Sequence, residues 1–205
     1  IVGGRLWDVF FFDWEYYHNH LLEIPYIWQG GMAIQGGIIF ACIAAYFYLK
    51  KHQIPVLPFA DTVTPGIILG QAIGRIANFM NGDAFGHPTG QDFGLLYPDT
   101  TLAYHTYGAQ PLWPAEVWEC QGDLLIFVLL LWYGCKTRAE GTTFCLYIMF
   151  YSLLRFFLEN YRGDYGTLAL GLKSAQLTSL AAFAGAFILF LYFHFKHKSK
   201  SGISE

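Results

Sequence analysis

Charge is scarce in this sequence. Lysine, arginine, aspartate and glutamate make up 13% of the 205 residues, whereas soluble domains carry about 25%. Hydrophobic residues account for 55% of the chain and aromatic residues for 19%. The formal net charge of -3 carries no basic signal for nucleic-acid binding. These values exclude an ordinary soluble domain and indicate a single bundle of membrane helices.

Cysteine is also sparse, and its spacing excludes two common classes of site. The four cysteines are Cys42, Cys120, Cys135 and Cys145, and no two of them form a CxxC pair. We interpret them as small apolar residues, not as metal ligands or a disulfide framework. The sequence begins with Ile1 instead of a methionine, and its first residues are typical of the end of a helix. We therefore expect a further helix upstream.

Long apolar segments predict five full membrane spans and the end of another. A span needs about 20 mostly apolar residues. The five segments cover residues 31–49, 59–80, 117–135, 144–161 and 175–195, and residues 1–12 form the partial span. The predicted fold is an all-α integral membrane protein, a polytopic helix bundle in which residues 1–205 form one transmembrane catalytic domain.

Basic clusters predict the orientation of these spans. The clusters are Lys50, Lys51 and His52; Lys136 and Arg138; and Lys196, Lys198 and Lys200. With alternating spans, all three fall on one side, which the positive-inside rule makes cytoplasmic, together with the C-terminus. Residues 13–30, 82–116 and 162–174 are then extracytoplasmic. The longest of these, 82–116, is rich in Gly, Pro, Tyr and Thr and is predicted to form a small head.

Ionisable residues within the spans need a physical reason, because each costs roughly 3 kcal/mol at the bilayer centre. Arg75 and Asn78 are three residues apart, and Arg155 and Glu159 are four apart, so each pair shares a helix face. Arg162 extends the second face. Two arginines at one depth predict a bound phosphate, which in a membrane belongs to a lipid headgroup. The sequence leaves open a structural Arg155–Glu159 ion pair with Arg75 reaching to the interface.

Other polar and aromatic residues near the span ends have structural interpretations. Asp61 is interpreted as the N-cap of a helix that starts at Thr62. Tyr26, Trp28, Trp113 and Trp118 lie near predicted boundaries and are typical of an interfacial aromatic belt. Neither feature requires a function.

The residues around Arg75 also carry a family resemblance. Residues 74–86, Gly-Arg-Ile-Ala-Asn-Phe-Met-Asn-Gly-Asp-Ala-Phe-Gly, resemble the Gly-Arg-x-Gly/Ala-Asn-Phe-x-Asn-x-Glu motif of bacterial prolipoprotein diacylglyceryl transferases. Residues 4–6, 28–37, 114–119, 155–164 and 170–176 resemble further family segments in the same order. Among these, 114–119 falls where the family often has His-Pro-x-Gln-x-Tyr-Glu, and 155–164 resembles Arg-x-x-x-Glu-x-x-Arg. The resemblance covers nearly the whole chain.

The resemblance implies a reaction and its partners. The family transfers the sn-1,2-diacylglyceryl group of phosphatidylglycerol to the lipobox cysteine of a prolipoprotein, which forms a thioether and releases glycerol phosphate. It implies no metal or organic cofactor and no nucleic acid. The implied location is the bacterial cytoplasmic membrane, with the active site towards the extracytoplasmic leaflet.

The same resemblance implies roles for individual residues. Arg75 and Arg155 would hold the lipid phosphate and stabilise charge as it leaves, and Asn78 and Glu159 would position them. Asp83 stands where the family usually has Glu. Two further arginines, Arg5 and Arg162, and also Gln35, would contact the lipid substrate.

Two departures from the family pattern leave the thiol's proton acceptor open. Gln35 replaces the histidine of the Gly-Gly-Met/Leu-x-x-His-Gly-Gly stretch, and glutamine cannot act as a general base. Trp113 replaces the family's other frequent histidine. The arginines alone could ionise the thiol, or His105 or Asp83 could accept its proton.

Gln35, in place of the family's histidine, and Asp83, in place of its usual glutamate, favour an alternative class, a catalytically silent relative that binds anionic lipid or the precursor. Retention of Arg75, Asn78, Arg155 and Glu159 argues against it, because their cost in the membrane needs an offset. An anion transporter is a third class. The sequence shows neither internal symmetry nor paired broken helices, which argues against that class.

Overall fold

The computed structural model describes residues 1–135, 139–163 and 172–201, and most of these residues are helical. Two compact units are present, one covering Ile1–Val56 and the other beginning at Leu57. Within the described ranges, three helices are long and apolar enough to cross a membrane: Val56–Asn81, Thr142–Tyr161 and Ser174–Lys196. The predicted class, a helical membrane protein, is confirmed at this level, and the count of five full spans stays a prediction.

The first unit is built on a close helix crossing. Its α-helices are α1 (Val2–Trp7), α2 (Trp14–Tyr17) and α3 (Ile34–Lys51), and a π-turn at Asp8–Phe12 extends α1. A side chain on Gly36 would overlap the carbonyl oxygen of Gly3 and the Cβ atom of Trp7. Glycines at both positions therefore let the backbones of α1 and α3 approach, as small residues commonly do between membrane helices.

The second unit contains most of α4 and all the later helices. These are α4 (Val56–Asn81), α5 (Leu102–Tyr107), α6 (Ala115–Gly134), α7 (Thr142–Leu158) and α8 (Ser174–Ser201). Four of the five predicted spans coincide with α4, α6, α7 and α8, and the remaining one coincides with α3. The packed interior of the second unit is formed by Ile68 of α4 together with Ile126 and Leu130 of α6.

Asp61 caps a different helix from the one expected. The prediction that it caps a helix starting at Thr62 is wrong, because α4 begins at Val56 and already includes Asp61. Its buried carboxylate instead accepts hydrogen bonds from the backbone N–H groups of Gly141 at 2.7 Å and Phe144 at 2.9 Å. The first N–H groups of α7 have no partner within their own helix, so Asp61 supplies one from α4.

The segment between α4 and α6 packs on itself. Isolated β-bridges join Pro88 and Leu95 to Leu112. Phe85, Ala103 and Leu112 form a small buried cluster beneath them. This region coincides with residues 82–116, and both its identity as a head and its place outside the membrane stay predictions. The predicted basic pair Lys136 and Arg138, and residues 164–171 of the third predicted extracytoplasmic segment, lie outside the described residues.

Candidate active site

Three arginines converge on one buried carboxylate, that of Glu119 in the second turn of α6. The Nη2 atom of Arg75 lies 2.9 Å from Glu119 Oε1. The Nη1 atoms of Arg155 and Arg162 lie 3.3 and 3.4 Å from Oε2. The hydroxyl of Tyr151 donates to Oε1 at 3.3 Å. Glu119 thus fixes guanidinium groups from α4, from α7 and from the chain just beyond α7.

A second buried carboxylate, Glu159, supports the same cluster. Its Oε2 lies 2.9 Å from Arg155 Nη2, one helical turn earlier. Its Oε1 lies 3.9 Å from the ammonium nitrogen of Lys173. That nitrogen also donates to the backbone carbonyls of Glu159 at 2.8 Å and Arg162 at 2.6 Å. The Arg155–Glu159 ion pair that the sequence left open is therefore present, as part of a larger network.

A chain of hydrogen bonds orients Arg75 from the end of α4. Arg75 Nη1 donates to the Oδ1 atom of Asn78 at 3.2 Å. Asn78 Nδ2 in turn donates to Asp83 Oδ1 at 2.7 Å. Because an amide both accepts and donates, Asn78 links the arginine to a carboxylate that the arginine does not touch. All three residues were predicted as site residues, and the structure brings them together.

The two arginines predicted to hold phosphate are the more accessible ones. The side chains of Arg75 and Arg155 are 20% and 15% exposed, against 5% for Arg162. A guanidinium group has five N–H donors, so the contacts above leave donors on both groups. In the part of the chain that the structure describes, Arg75, Arg155 and Lys173 contact the carboxylates of Glu119 and Glu159. The arrangement has positive charge and directed donors for an anion such as phosphate.

A cleft of about 350 Å³ lies between α7 and α8 and reaches Arg155. Apart from Arg155, the side chains that line it are aromatic, aliphatic or small: Tyr147, Ile148, Tyr151, Ser152, Ala175, Thr178, Ser179 and Ala182. Its volume is in the range typical of small-molecule sites. The cleft therefore joins an apolar space to the cationic cluster.

The other predicted substrate residues, Arg5 and Gln35, lie in the first unit. Arg5 is 4% exposed, and its three nitrogens donate to four backbone carbonyls between Glu23 and Gly31, at 2.8 to 3.0 Å. Its guanidinium also lies 4.8 Å from the ring centroid of Tyr17. Gln35 is exposed in the first turn of α3. The contacts of Arg5 support a role in holding a loop, and substrate roles for both residues stay predictions.

The sequence prediction did not include Glu119 or Lys173 as site residues. Glu116, Glu119 and Asp123 are spaced three and four residues apart in a mostly apolar helix, which puts three carboxylates on one face. The membrane cost that singled out the arginines applies equally to these acids. That spacing was the available signal for Glu119. Lys173 had no comparable signal, since it lies in a polar connection before α8.

Apolar helices around a cluster of arginines and buried carboxylates define a membrane-embedded protein with a candidate site for an anion. The chain matches the family described as "Prolipoprotein diacylglyceryl transferase" over residues 1–192. It belongs to that family, which confirms the resemblance drawn from the sequence and the enzyme class, a transferase.

Individual relatives agree with this assignment. The chain is 38% identical over 182 residues to the phosphatidylglycerol–prolipoprotein diacylglyceryl transferase of Geobacillus kaustophilus. The aligned region covers 88% of this chain and 67% of that relative. It is 39% identical over 181 residues to that of Clostridium botulinum (strain Langeland), covering 88% and 70%. With that of Nitrosomonas europaea it shares 34% identity over 205 residues, covering 98% and 71%. The chain thus spans about two thirds of the length of these relatives.

Proposed function

We propose that this protein transfers the sn-1,2-diacylglyceryl group of phosphatidylglycerol to the lipobox cysteine thiol of a prolipoprotein. The relatives named above are transferases with these two substrates in their names. The observation that carries the proposal is the convergence of Arg75 and Arg155, from different helices, on the buried carboxylate of Glu119. By contacting both side chains, the Glu119 carboxylate holds two guanidinium groups in a fixed geometry that suits a single bound anion.

The reaction exchanges one bond for another at a glycerol carbon of the lipid. The cysteine sulfur attacks the carbon that carries the phosphate, a C–S bond forms, and the C–O bond to phosphate breaks. Negative charge then builds up on the leaving glycerol phosphate. The remaining N–H donors of Arg75 and Arg155 stabilise that charge without having to reorganise, because Glu119, Glu159 and Asn78 already hold them.

The cleft beside Arg155 suits the apolar part of the lipid. A phosphatidylglycerol molecule whose phosphate lies at the arginines has its acyl chains next to that headgroup. The cleft between α7 and α8 provides an apolar space in that place, lined in part by Ala175, Ser179 and Ala182. Small side chains at these positions keep the space open.

The proposed topology is multi-pass, with the C-terminus in the cytoplasm and the site towards the extracytoplasmic leaflet of a bacterial plasma membrane. Arg75 lies in the last third of α4, Glu119 near the start of α6 and Arg155 near the end of α7. Their contact brings the ends of α4 and α7 together with the start of α6. Spans that alternate in direction place these three ends on the same side of the membrane. Alkaline phosphatase fused after Asp92 should then be active, and a fluorescent protein fused to the C-terminus should fluoresce in cells.

Mass spectrometry of a synthetic lipobox peptide tests the activity. The full-length protein, reconstituted with phosphatidylglycerol, should add a diacylglyceryl group to the peptide cysteine and release glycerol phosphate in equal amount. Arg75→Ala should abolish the adduct, and Lys196→Ala, which removes an exposed cation of α8, should not. A protein that binds phosphatidylglycerol but never forms the adduct would refute the transferase and favour the silent lipid binder.

A further inference from the structure

The carboxylates on one face of α6 differ sharply in their surroundings. Glu116, Glu119 and Asp123 are all 0% exposed. Glu119 is contacted by three arginines. Neither oxygen of Glu116 or of Asp123 accepts a hydrogen bond from another residue in the part of the chain that the structure describes. Burying a carboxylate without a partner is costly, so these two groups need an explanation that the arginine network does not give.

Of these two acids, Glu116 is the one at the end of α6 that follows the 82–116 segment. It lies in the first turn of α6. The charged groups that act on it are Arg162, Arg75 and Asp83, which come from three other parts of the second unit. A buried acid that lies within the electrostatic influence of two arginines and accepts no hydrogen bond from another described residue is suited to exchange a proton with a group bound near those arginines.

We propose that Glu116 is the proton acceptor for the lipobox thiol. The inference rests on the proposed function and supplies the base that Gln35 cannot provide. In the His-Pro-x-Gln-x-Tyr-Glu pattern resembled by residues 113–119, Glu116 stands at the glutamine position. The chain therefore has Gln35 where the family pattern has a titratable histidine, and Glu116 where the pattern has a glutamine.

The proton balance of the step is complete. The Glu116 carboxylate takes the proton from the cysteine S–H, and the resulting thiolate attacks the glycerol carbon. The C–O bond electrons leave with glycerol phosphate. The proton on Glu116 then passes to the released phosphate or to water, which restores the carboxylate for the next turnover.

The other acids and the histidine considered for this role have different surroundings. Asp83 accepts a hydrogen bond from Asn78 at 2.7 Å. Both oxygens of Glu119 are occupied by guanidinium groups. His105 is exposed on the short helix α5. Asp123 is equally buried and without a hydrogen-bond partner among the described residues but lies about two helical turns farther along α6, so it serves as the matched control.

Glu116→Gln tests the proposal, because it keeps the size of the side chain and removes its basicity. We expect its transfer rate on a cysteine peptide at pH 7 to fall about 100-fold, the lower end of general-base contributions. The defect should shrink as pH approaches the free thiol pKa of about 8.5. Asp123→Asn should keep the wild-type rate and pH profile. Thermal unfolding of each variant reports whether it folds.

A selenocysteine peptide separates a base from a structural residue. A selenol is more acidic than a thiol and is already ionised at neutral pH, so it does not need the base. On this peptide the Glu116→Gln variant should transfer the diacylglyceryl group within about 5-fold of the wild-type rate. The reason is that the roughly 100-fold contribution of the base is no longer needed. Equal slowing on both peptides, or no slowing on the cysteine peptide, would overturn the proposal while the transferase stands. Wild-type protein that forms no adduct with either peptide would overturn the proposed function, and this inference with it.

Discussion

Arg75 and Glu119 join α4 to α6 through a 2.9 Å contact between Nη2 and Oε1. The carboxylate is fully buried while the guanidinium is 20% exposed. One end of this pair is therefore fixed inside the second unit, and the other remains open to a ligand. Because Arg155 binds the second oxygen of the same carboxylate, Glu119 sets the orientation of both arginines.

Replacing Glu119 with glutamine should impair both activity and stability. The isosteric amide removes the negative charge from three guanidinium groups, one of which, Arg162, is 5% exposed. Breaking a buried ion pair from one side costs about 3 kcal/mol, so the melting temperature should fall. Loss of arginine orientation should lower kcat by about 100-fold, with a smaller change in KM, if Glu119 acts through preorganisation. Steady-state kinetics of the folded fraction check this, and an unchanged kcat would contradict the positioning role.

Filling the α7–α8 cleft should weaken lipid use without touching the arginines. Ala182→Phe places an aromatic ring in a space of about 350 Å³. We expect KM for phosphatidylglycerol to rise about 10-fold, equivalent to about 1.4 kcal/mol of binding, while KM for the peptide is unchanged. Ala182→Ser is the matched small variant. If Ala182→Phe behaves like Ala182→Ser, the lipid does not occupy this cleft.

Removing the Arg5 side chain should loosen the loop before α3. Arg5→Met keeps much of the apolar stem but loses the hydrogen bonds to the carbonyls of Glu23, Ile24, Gly30 and Gly31. Each such bond contributes about 1 kcal/mol. Limited proteolysis should then cut between residues 21 and 33 faster than in the wild type. A cleavage rate equal to that of the wild type would argue that the loop is held by other contacts.

Asp61→Asn should destabilise the start of α7. One amide oxygen can still accept from either Gly141 or Phe144, but the charge-assisted cap to both N–H groups is lost. Caps of this kind contribute about 1 kcal/mol, and the buried setting favours the upper part of the range. Asp92→Asn, an exposed loop position, is the control. Equal melting temperatures for the two variants would contradict the capping role.

Apolar runs, helix-face spacing and membrane cost were sufficient to predict the five long helices and to place Arg75 and Arg155 at one depth. Long apolar runs leave few alternatives to helices. An arginine in such a run also needs a partner or a ligand. The same reasoning, applied to α6, would have found Glu119.

Features that depend on tertiary contacts could not be read from the sequence. Asp61 looked like a cap for its own helix, since the start of α4 at Val56 has no strong capping residue to mark it. Its true partners, Gly141 and Phe144, are about 80 residues away. In the sequence, only a family resemblance pointed to Arg5. Its four carbonyl partners lie 18 to 26 residues away, and only the folded loop brings them to the guanidinium group.

In the proposed reaction Arg75 and Arg155 act as oriented guanidinium forks on the lipid phosphate, and lysine substitution separates this orientation from charge alone. The rate of thioether formation on a lipobox peptide should be measured for Arg75→Lys, Arg155→Lys and the control Lys196→Ala in phosphatidylglycerol bilayers. Lysine keeps the charge but loses the paired donors, so both arginine variants should be slower by about 100-fold while Lys196→Ala matches the wild type. Wild-type rates in either lysine variant would contradict the account, because charge alone would then be sufficient.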